Sequence, residues 1–287
     1  MNFELFVDVI KDVLIDNIKI LPFLFLTFLL MEYLEDKMQD KTKGILKNAG
    51  KVGPIWGSIL GVVPQCGFSA AASNLYAGRV ITTGTLISIY LSTSDEMLPI
   101  MISHAVSPVL IAKVLGVKVA IGMIAGIAID FFITKVLKRK EKEVDIHHFC
   151  EQEHCECGHG ILKPALIHTI KIFLFLLLVS LVLGFIIEIF GLESLSSSFL
   201  ADPILGPIMA GFIGLIPNCA ASVVITEFFL EGAVSFGTMI SGLLVGAGVG
   251  ILVLIRVNDD RKANISIISC LYIIGVLSGI IINLLIH

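Results

Sequence analysis

Two apolar runs, each too short to cross a bilayer and separated by a polar break, occur twice in this chain, and that repetition restricts its fold more than any other feature. The first copy runs Gly53-Pro54-Ile55, then Gly61-Val62-Val63-Pro64-Gln65-Cys66-Gly67-Phe68-Ser69. At an offset of 153 it meets Gly206-Pro207-Ile208, then Gly214-Leu215-Ile216-Pro217-Asn218-Cys219-Ala220-Ala221-Ser222. The match extends from Gly84-Thr85-Leu86-Ile87-Ser88 to Gly237-Thr238-Met239-Ile240-Ser241. Eleven of the 37 positions from 52 to 88 are identical, against roughly one in ten expected by chance in so apolar a chain. An eleven-residue run such as 53–63 or 67–77 makes a helix of about 16 Å, roughly half the ~30 Å bilayer core. Pro64 and Pro217 each remove a backbone donor between two such runs, and polar side chains follow them. The pattern predicts two re-entrant helical hairpins, 53–77 and 206–230, with tips near the membrane midplane. Broken backbone at that depth survives only inside protein or around a wet cavity, so paired breaks mark where a transporter binds its cargo.

The rest of the chain fits that setting. Hydrophobic residues make up 56% and charged residues 15%, with a mean hydropathy of +0.97, too apolar for a soluble domain of 287 residues. Apolar spans are expected at 13–33, 80–102 and 117–136, then at 165–190, 234–255 and 265–286. Leu14-Ile15-Asp16-Asn17-Ile18-Lys19-Ile20 also matches Leu166-Ile167-His168-Thr169-Ile170-Lys171-Ile172, so the duplication begins before the hairpin. The expected fold is an all-α polytopic membrane protein of two inverted-topology repeats, each with three transmembrane spans and one re-entrant hairpin. The first repeat covers 1–136, a His/Cys-rich cytoplasmic linker 137–164, and the second repeat 165–287. Three crossings per repeat is an odd number, which forces opposite orientations. With both termini outside, 14 Lys and Arg lie on the cytoplasmic side and three (Lys11, Lys113 and Lys118) on the outer side, as the positive-inside rule requires. Residues 103–116 are apolar enough to form a short extra helix on the outer side. Met1-Asn2-Phe3-Glu4 shows no basic start of a removable signal peptide. No basic face interleaved with aromatics suggests nucleic acid as a partner. The chain carries no phosphate-binding loop, no His-Glu-x-x-His and no Gly-x-Ser-x-Gly, so it reads as a transporter rather than an enzyme.

Chemistry concentrates in three places. Ser92-Thr93-Ser94-Asp95-Glu96-Met97-Leu98-Pro99 lies in the middle of an expected span, where each carboxylate costs roughly 2.5–3.5 kcal/mol to insert. The second copy has Val245-Gly246-Ala247-Gly248-Val249 there, so the scaffold does not need Asp95 and Glu96. They are expected to coordinate a cation, to carry protons, or both. Gln65 with Cys66 and Asn218 with Cys219 sit at the two tips, which inverted symmetry would bring together. Glu227 aligns with Asn74 two turns past the tips, and either lines the site or reaches the outer interface beside Glu231. The helix ends at the tips offer carbonyls to a cation and amides to an anion alike, and the buried acids tilt the balance toward a cation. The third place is the linker, where His147, His148, Cys150, His154, Cys155, Cys157 and His159 supply seven nitrogen or sulfur ligands in thirteen residues. Their spacing fits no structural zinc finger, so a flexible metal-acquiring or metal-sensing tract is expected.

These residues carry a resemblance. The paired Pro-x-Cys hairpins, the Ser-Thr-Ser-Asp-Glu-x-x-Pro stretch and the His/Cys-rich loop resemble the ten-helix heavy-metal exporter family, relatives of the arsenic-type permeases whose members are often labelled manganese transporters. The resemblance covers nearly the whole chain and implies export of a metal ion across the bacterial cytoplasmic membrane. The arsenic-type permeases have more cysteine around their first tip than the single Cys66 here. Oxygen donors suit Mn²⁺, whereas the cysteines suit softer ions such as Zn²⁺, and the costly buried oxygens favour Mn²⁺. No tightly held cofactor is expected. The expected partners are the lipid bilayer, the metal, protons or another coupling ion, and a second copy in a homodimer.

Overall fold

Proline and hydroxyl residues set where the helices of this chain begin, and small residues set how closely they approach. A computed structural model describes residues 52–62, 66–94, 97–136, 162–190, 200 and 202–286, with scattered positions between 11 and 29. Among the described residues the chain is helical and contains no strand. The helices in order are α1 (Gly53–Gly61), α2 (Cys66–Ala77), α3 (Thr83–Ser92), α4 (Met97–Ser103), α5 (Pro108–Phe131, extended by a π turn Phe132–Val136), α6 (Leu162–Phe190), α7 (Leu205–Gly214), α8 (Cys219–Leu230), α9 (Phe236–Val245), α10 (Gly250–Val257) and α11 (Arg261–Ile286).

The short runs of each copy are separate helices on either side of a break, α1 and α2 in the first and α7 and α8 in the second. Residues 103–116 do not form a helix of their own. The chain turns at His104 and Ala105, and the left-handed Ala105 (φ 50°) ends α4. Ser107 then caps a new start at Pro108, so the expected span from 117 begins nine residues early, with Lys113 and Lys118 inside it. The expected span 234–255 is likewise interrupted, because α9 ends at Val245 and α10 starts at Gly250.

Contacts in the two halves correspond at the 153-residue offset. Thr82 caps α3 by accepting from the Thr85 amide at 3.0 Å, and Ser235 caps α9 by accepting from the Thr238 amide at 3.2 Å. A residue on a neighbouring helix completes each cap. Asp130 on α5 accepts from the Thr82 hydroxyl (2.6 Å) and the Gly84 amide (2.7 Å). Asn283 on α11 accepts from the Ser235 hydroxyl (2.7 Å) and the Gly237 amide (3.0 Å). The Ser88 hydroxyl donates to the Pro54 carbonyl at 2.5 Å, as Ser241 does to the Pro207 carbonyl at 2.7 Å. Each half therefore contains a packed trio, α1–α3–α5 and α7–α9–α11.

The second arm of each broken pair packs against its own half and also reaches across to the other. Helix α2 packs against α10 of the other half, and α8 packs against α4. Straight helices lie outside and broken ones inside: 28% of the apolar window is buried in Pro108–Lys135 and in Arg261–Leu285, against 83% across Phe236–Val257. That layering follows from the backbone. A continuous helix satisfies its own amides and can face lipid, whereas an interrupted one needs protein partners around it. Among the described residues, those three stretches are long and apolar enough to cross a membrane.

Candidate functional site

The site is built from helix interruptions. Helix α3 ends at Ser92, and the hydroxyls of Ser92, Thr93 and Ser94 bond carbonyls around its end. Ser92 Oγ donates to the Ser88 (2.9 Å) and Ile89 (3.1 Å) carbonyls, and Thr93 Oγ1 donates to the Ile89 carbonyl at 2.7 Å. Such back-bonding adds a second donor to carbonyls in the last turns and occupies these buried hydroxyls locally. Ser94 Oγ donates across to the Val62 carbonyl at 2.6 Å, joining the break after α3 to the break after α1.

The second half makes the same interruption with glycine instead of hydroxyls. The Gly246 amide reaches the Gly242 carbonyl at 3.0 Å, and Ala247 turns back to the Val245 carbonyl at 2.9 Å. Gly248 sits in the left-handed region (φ 54°), which a side chain would strain. A Cβ on Gly214, the last residue of α7, would stand 3.2 Å from the Gly246 nitrogen, so this break also lies against its neighbour.

Lys118 joins the two halves of the site. Its side chain is 1% exposed, and its Nζ donates to the Thr93 carbonyl, just past α3, and to the Leu243 carbonyl in the last turn of α9 at 2.8 Å. The Leu243 carbonyl is free to accept because the amide four residues on, Ala247, has turned to Val245. The carbonyl end of a helix carries partial negative charge, and a buried ammonium between two such ends is favourably placed. A membrane-embedded Lys of this kind is costly and marks a functional region by default. Counting charged residues by loop placed Lys118 on the outer side. Aligning the copies offered the missing signal, because Lys118 pairs with Leu271, deep within the last span.

The second arm of the first pair, α2, binds the far side of the same break. Ser73 Oγ on α2 and the Tyr90 hydroxyl lie 2.7 Å apart, and they stand 2.8 and 3.1 Å from the Gly250 carbonyl, so one hydroxyl can donate to the other while the second donates to that carbonyl. Residues 246–249 are thus held at both ends by first-half side chains, Lys118 before and Ser73 with Tyr90 after. Ser69 packs against Gly250, where a Cβ would be 2.8 Å from the Ser69 Cβ.

Among the residues expected from sequence, Asn74 is fully buried on α2, and neither its Nδ2 nor its Oδ1 has a hydrogen-bond partner. An unsatisfied buried carboxamide costs about 1–3 kcal/mol, so the site retains an unused donor and acceptor. Glu227, its counterpart on α8, is partly exposed, and its Oε1 lies 3.2 Å from His104 Nε2 just past α4. Asn218 is half-buried at the second tip, and its backbone amide bonds the Ile216 carbonyl at 2.7 Å. Cys66 and Cys219 begin α2 and α8, but their side chains lie outside the described residues. Gln65, Asp95, Glu96 and the ligands of the linker (His147, His148, Cys150, His154, Cys155, Cys157 and His159) lie outside them as well. No group of three or more His, Cys, Asp or Glu positioned to hold a metal occurs among the described residues.

No curated protein and no solved structure matches this chain. One family model does, through residues 2–200 and 191–287, and its description is "Putative, 10TM heavy-metal exporter". That family is a class of membrane exporters and not of enzymes. With nearly its full length matched and its helices apolar enough for a multi-pass membrane protein, the chain belongs to this ten-transmembrane heavy-metal exporter family.

Proposed function

We propose that the chain is a secondary transporter that exports a divalent transition-metal ion, Mn²⁺ in preference to Zn²⁺, from the bacterial cytoplasm. In this reading the two trios are inverted-topology repeats, α1–α2 and α7–α8 are re-entrant hairpins, and both termini face outward. The observation that carries it is the contact chain through four interruptions. Val62 meets Ser94, Thr93 meets Lys118, Lys118 meets Leu243, and Gly246 meets Gly214. Four breaks from two repeats converging on one region is the arrangement expected of a cargo site reached alternately from two sides.

Asp95 and Glu96 directly follow this convergence in sequence, and they are proposed to ligate the metal with Asn74, Gln65, Asn218 and the tip thiols of Cys66 and Cys219. Glu227 at the His104 contact would serve passage to or from the site, and protons on these carboxylates would drive the exchange. The linker ligands would collect metal on the cytoplasmic side. The buried ammonium of Lys118 favours a second reading, permeation of an anion such as an arsenical. Asp95→Asn combined with Glu96→Gln in inside-out vesicles separates the two. The metal reading requires Mn²⁺ and Zn²⁺ flux to be abolished, whereas an anion permease would keep its arsenical flux unchanged in the same variant.

A further inference from the structure

The second half of this molecule shows that the position of Lys118 does not need a charge. Leu271, its counterpart, is fully buried in the same kind of trio, so an apolar side chain fills that position without a cation. Lys118 does something Leu271 cannot, because its ammonium belongs to the first half and bonds the Leu243 carbonyl of the second. The other acceptor, the Thr93 carbonyl, lies two residues before Asp95. Of these two bonds, the one to Leu243 crosses between the halves, and it is the bond that movement of one trio against the other would strain. A metal bound beside the same carbonyls would compete with the ammonium for negative charge, since like charges in a low-dielectric interior repel strongly.

We infer that Lys118 is a positioning residue for transport, a tethered cation that holds the two broken helices together when cargo is absent and is displaced when the cargo cation binds. The inference rests on the metal-transport reading above. Lys118 then sets a resting state and makes release of the second half depend on cargo, a coupling of two binding events through one element. Without the ammonium the site would bind metal more readily, and the halves would no longer reset.

The test is metal flux into liposomes containing the purified full-length protein, comparing wild type with Lys118→Gln, Lys118→Met and Lys118→Arg, each required to elute as a single species. Gln keeps donors for the carbonyls but removes the charge, so it stays informative if the Met variant fails to fold. The expected result is a kcat lowered about tenfold with a KM lowered severalfold in the Gln and Met variants, and near-normal values for Arg. A purely packing role would not split kcat from KM in this way. A folded Gln variant with both constants unchanged overturns the inference while leaving the transport reading in place. A wild-type protein that moves neither Mn²⁺ nor Zn²⁺ overturns the transport reading and the inference with it.

Discussion

Replacing Gly126 by alanine tests whether the α1–α3–α5 trio is as tightly packed as its contacts indicate. A Cβ at this position would lie 2.6 Å from the Gly84 carbonyl oxygen and 2.9 Å from the Cβ atoms of both Pro54 and Ser88. None of these can retreat easily. Asp130 holds the Gly84 amide, Ser88 bonds the Pro54 carbonyl, and Pro54 has a rigid ring. Alanine is favoured over glycine inside a helix by ~1 kcal/mol, which opposes the clash. Overpacking typically costs about 1–3 kcal/mol, and with three immovable neighbours the cost belongs at or above the top of that range. The net loss should be about 2 kcal/mol or more, at roughly 2–4 °C of melting temperature per kcal/mol, measured by thermal unfolding in detergent. Gly279→Ala should behave alike, since its Cβ would meet the Gly237 carbonyl at 2.6 Å and the Ser241 Cβ at 2.6 Å. Gly116→Ala on the same α5 meets nothing within 4 Å and should gain a fraction of a kcal/mol. A Gly126→Ala protein as stable as Gly116→Ala would refute the packing described here.

Asp130→Asn should be nearly neutral, because Asn283 performs the same cap in the other half. Asp130→Ala should cost about 1–3 kcal/mol by stranding the Gly84 amide, and the same detergent melts read both. Asp202 accepts from the Leu205 and Ile204 amides, each at 2.8 Å, and these bonds hold its carboxyl below the ordinary value of 3.8. Its contribution is complete above that ordinary value and lost as pH falls through the lower folded value, so Asp202→Asn should destabilise less at about pH 3 than at about pH 6. Deleting residues 146–160 should leave most metal flux intact in vesicles, whereas a protein whose function is sensing through that loop would lose its response.

Much of this architecture was legible because it is written twice. The boundaries of α1, α2, α7 and α8 fall within a few residues of the apolar runs, since Pro64 and Pro217 punctuate both copies. The stop of α3 at Ser92 falls inside the expected span 80–102, where the polar run Ser92-Thr93-Ser94 begins. The matching stop of α9 at Val245 left no such mark, because Gly246, Ala247 and Gly248 read as apolar filler when only hydropathy is weighed. Glycine breaks a helix by conformational freedom, which a hydropathy profile cannot register. The interlocking of α2 with α10 and α8 with α4 was hidden for a different reason. Small residues such as Ser69 and Gly250 permit close approach but do not announce their partner. Lys118 was misplaced because hydropathy treats a charge near a span end as solvated, whereas here helix-end carbonyls solvate it.

Cellular metal content tests the proposed export of a divalent cation most directly. Cells lacking the protein and cells overproducing it would be compared by elemental analysis after exposure to a panel of metals. Mn²⁺, or failing that Zn²⁺, should accumulate when the protein is absent and fall below normal when it is abundant, with other metals unmoved. Unchanged divalent metals alongside altered arsenic content would contradict the metal reading.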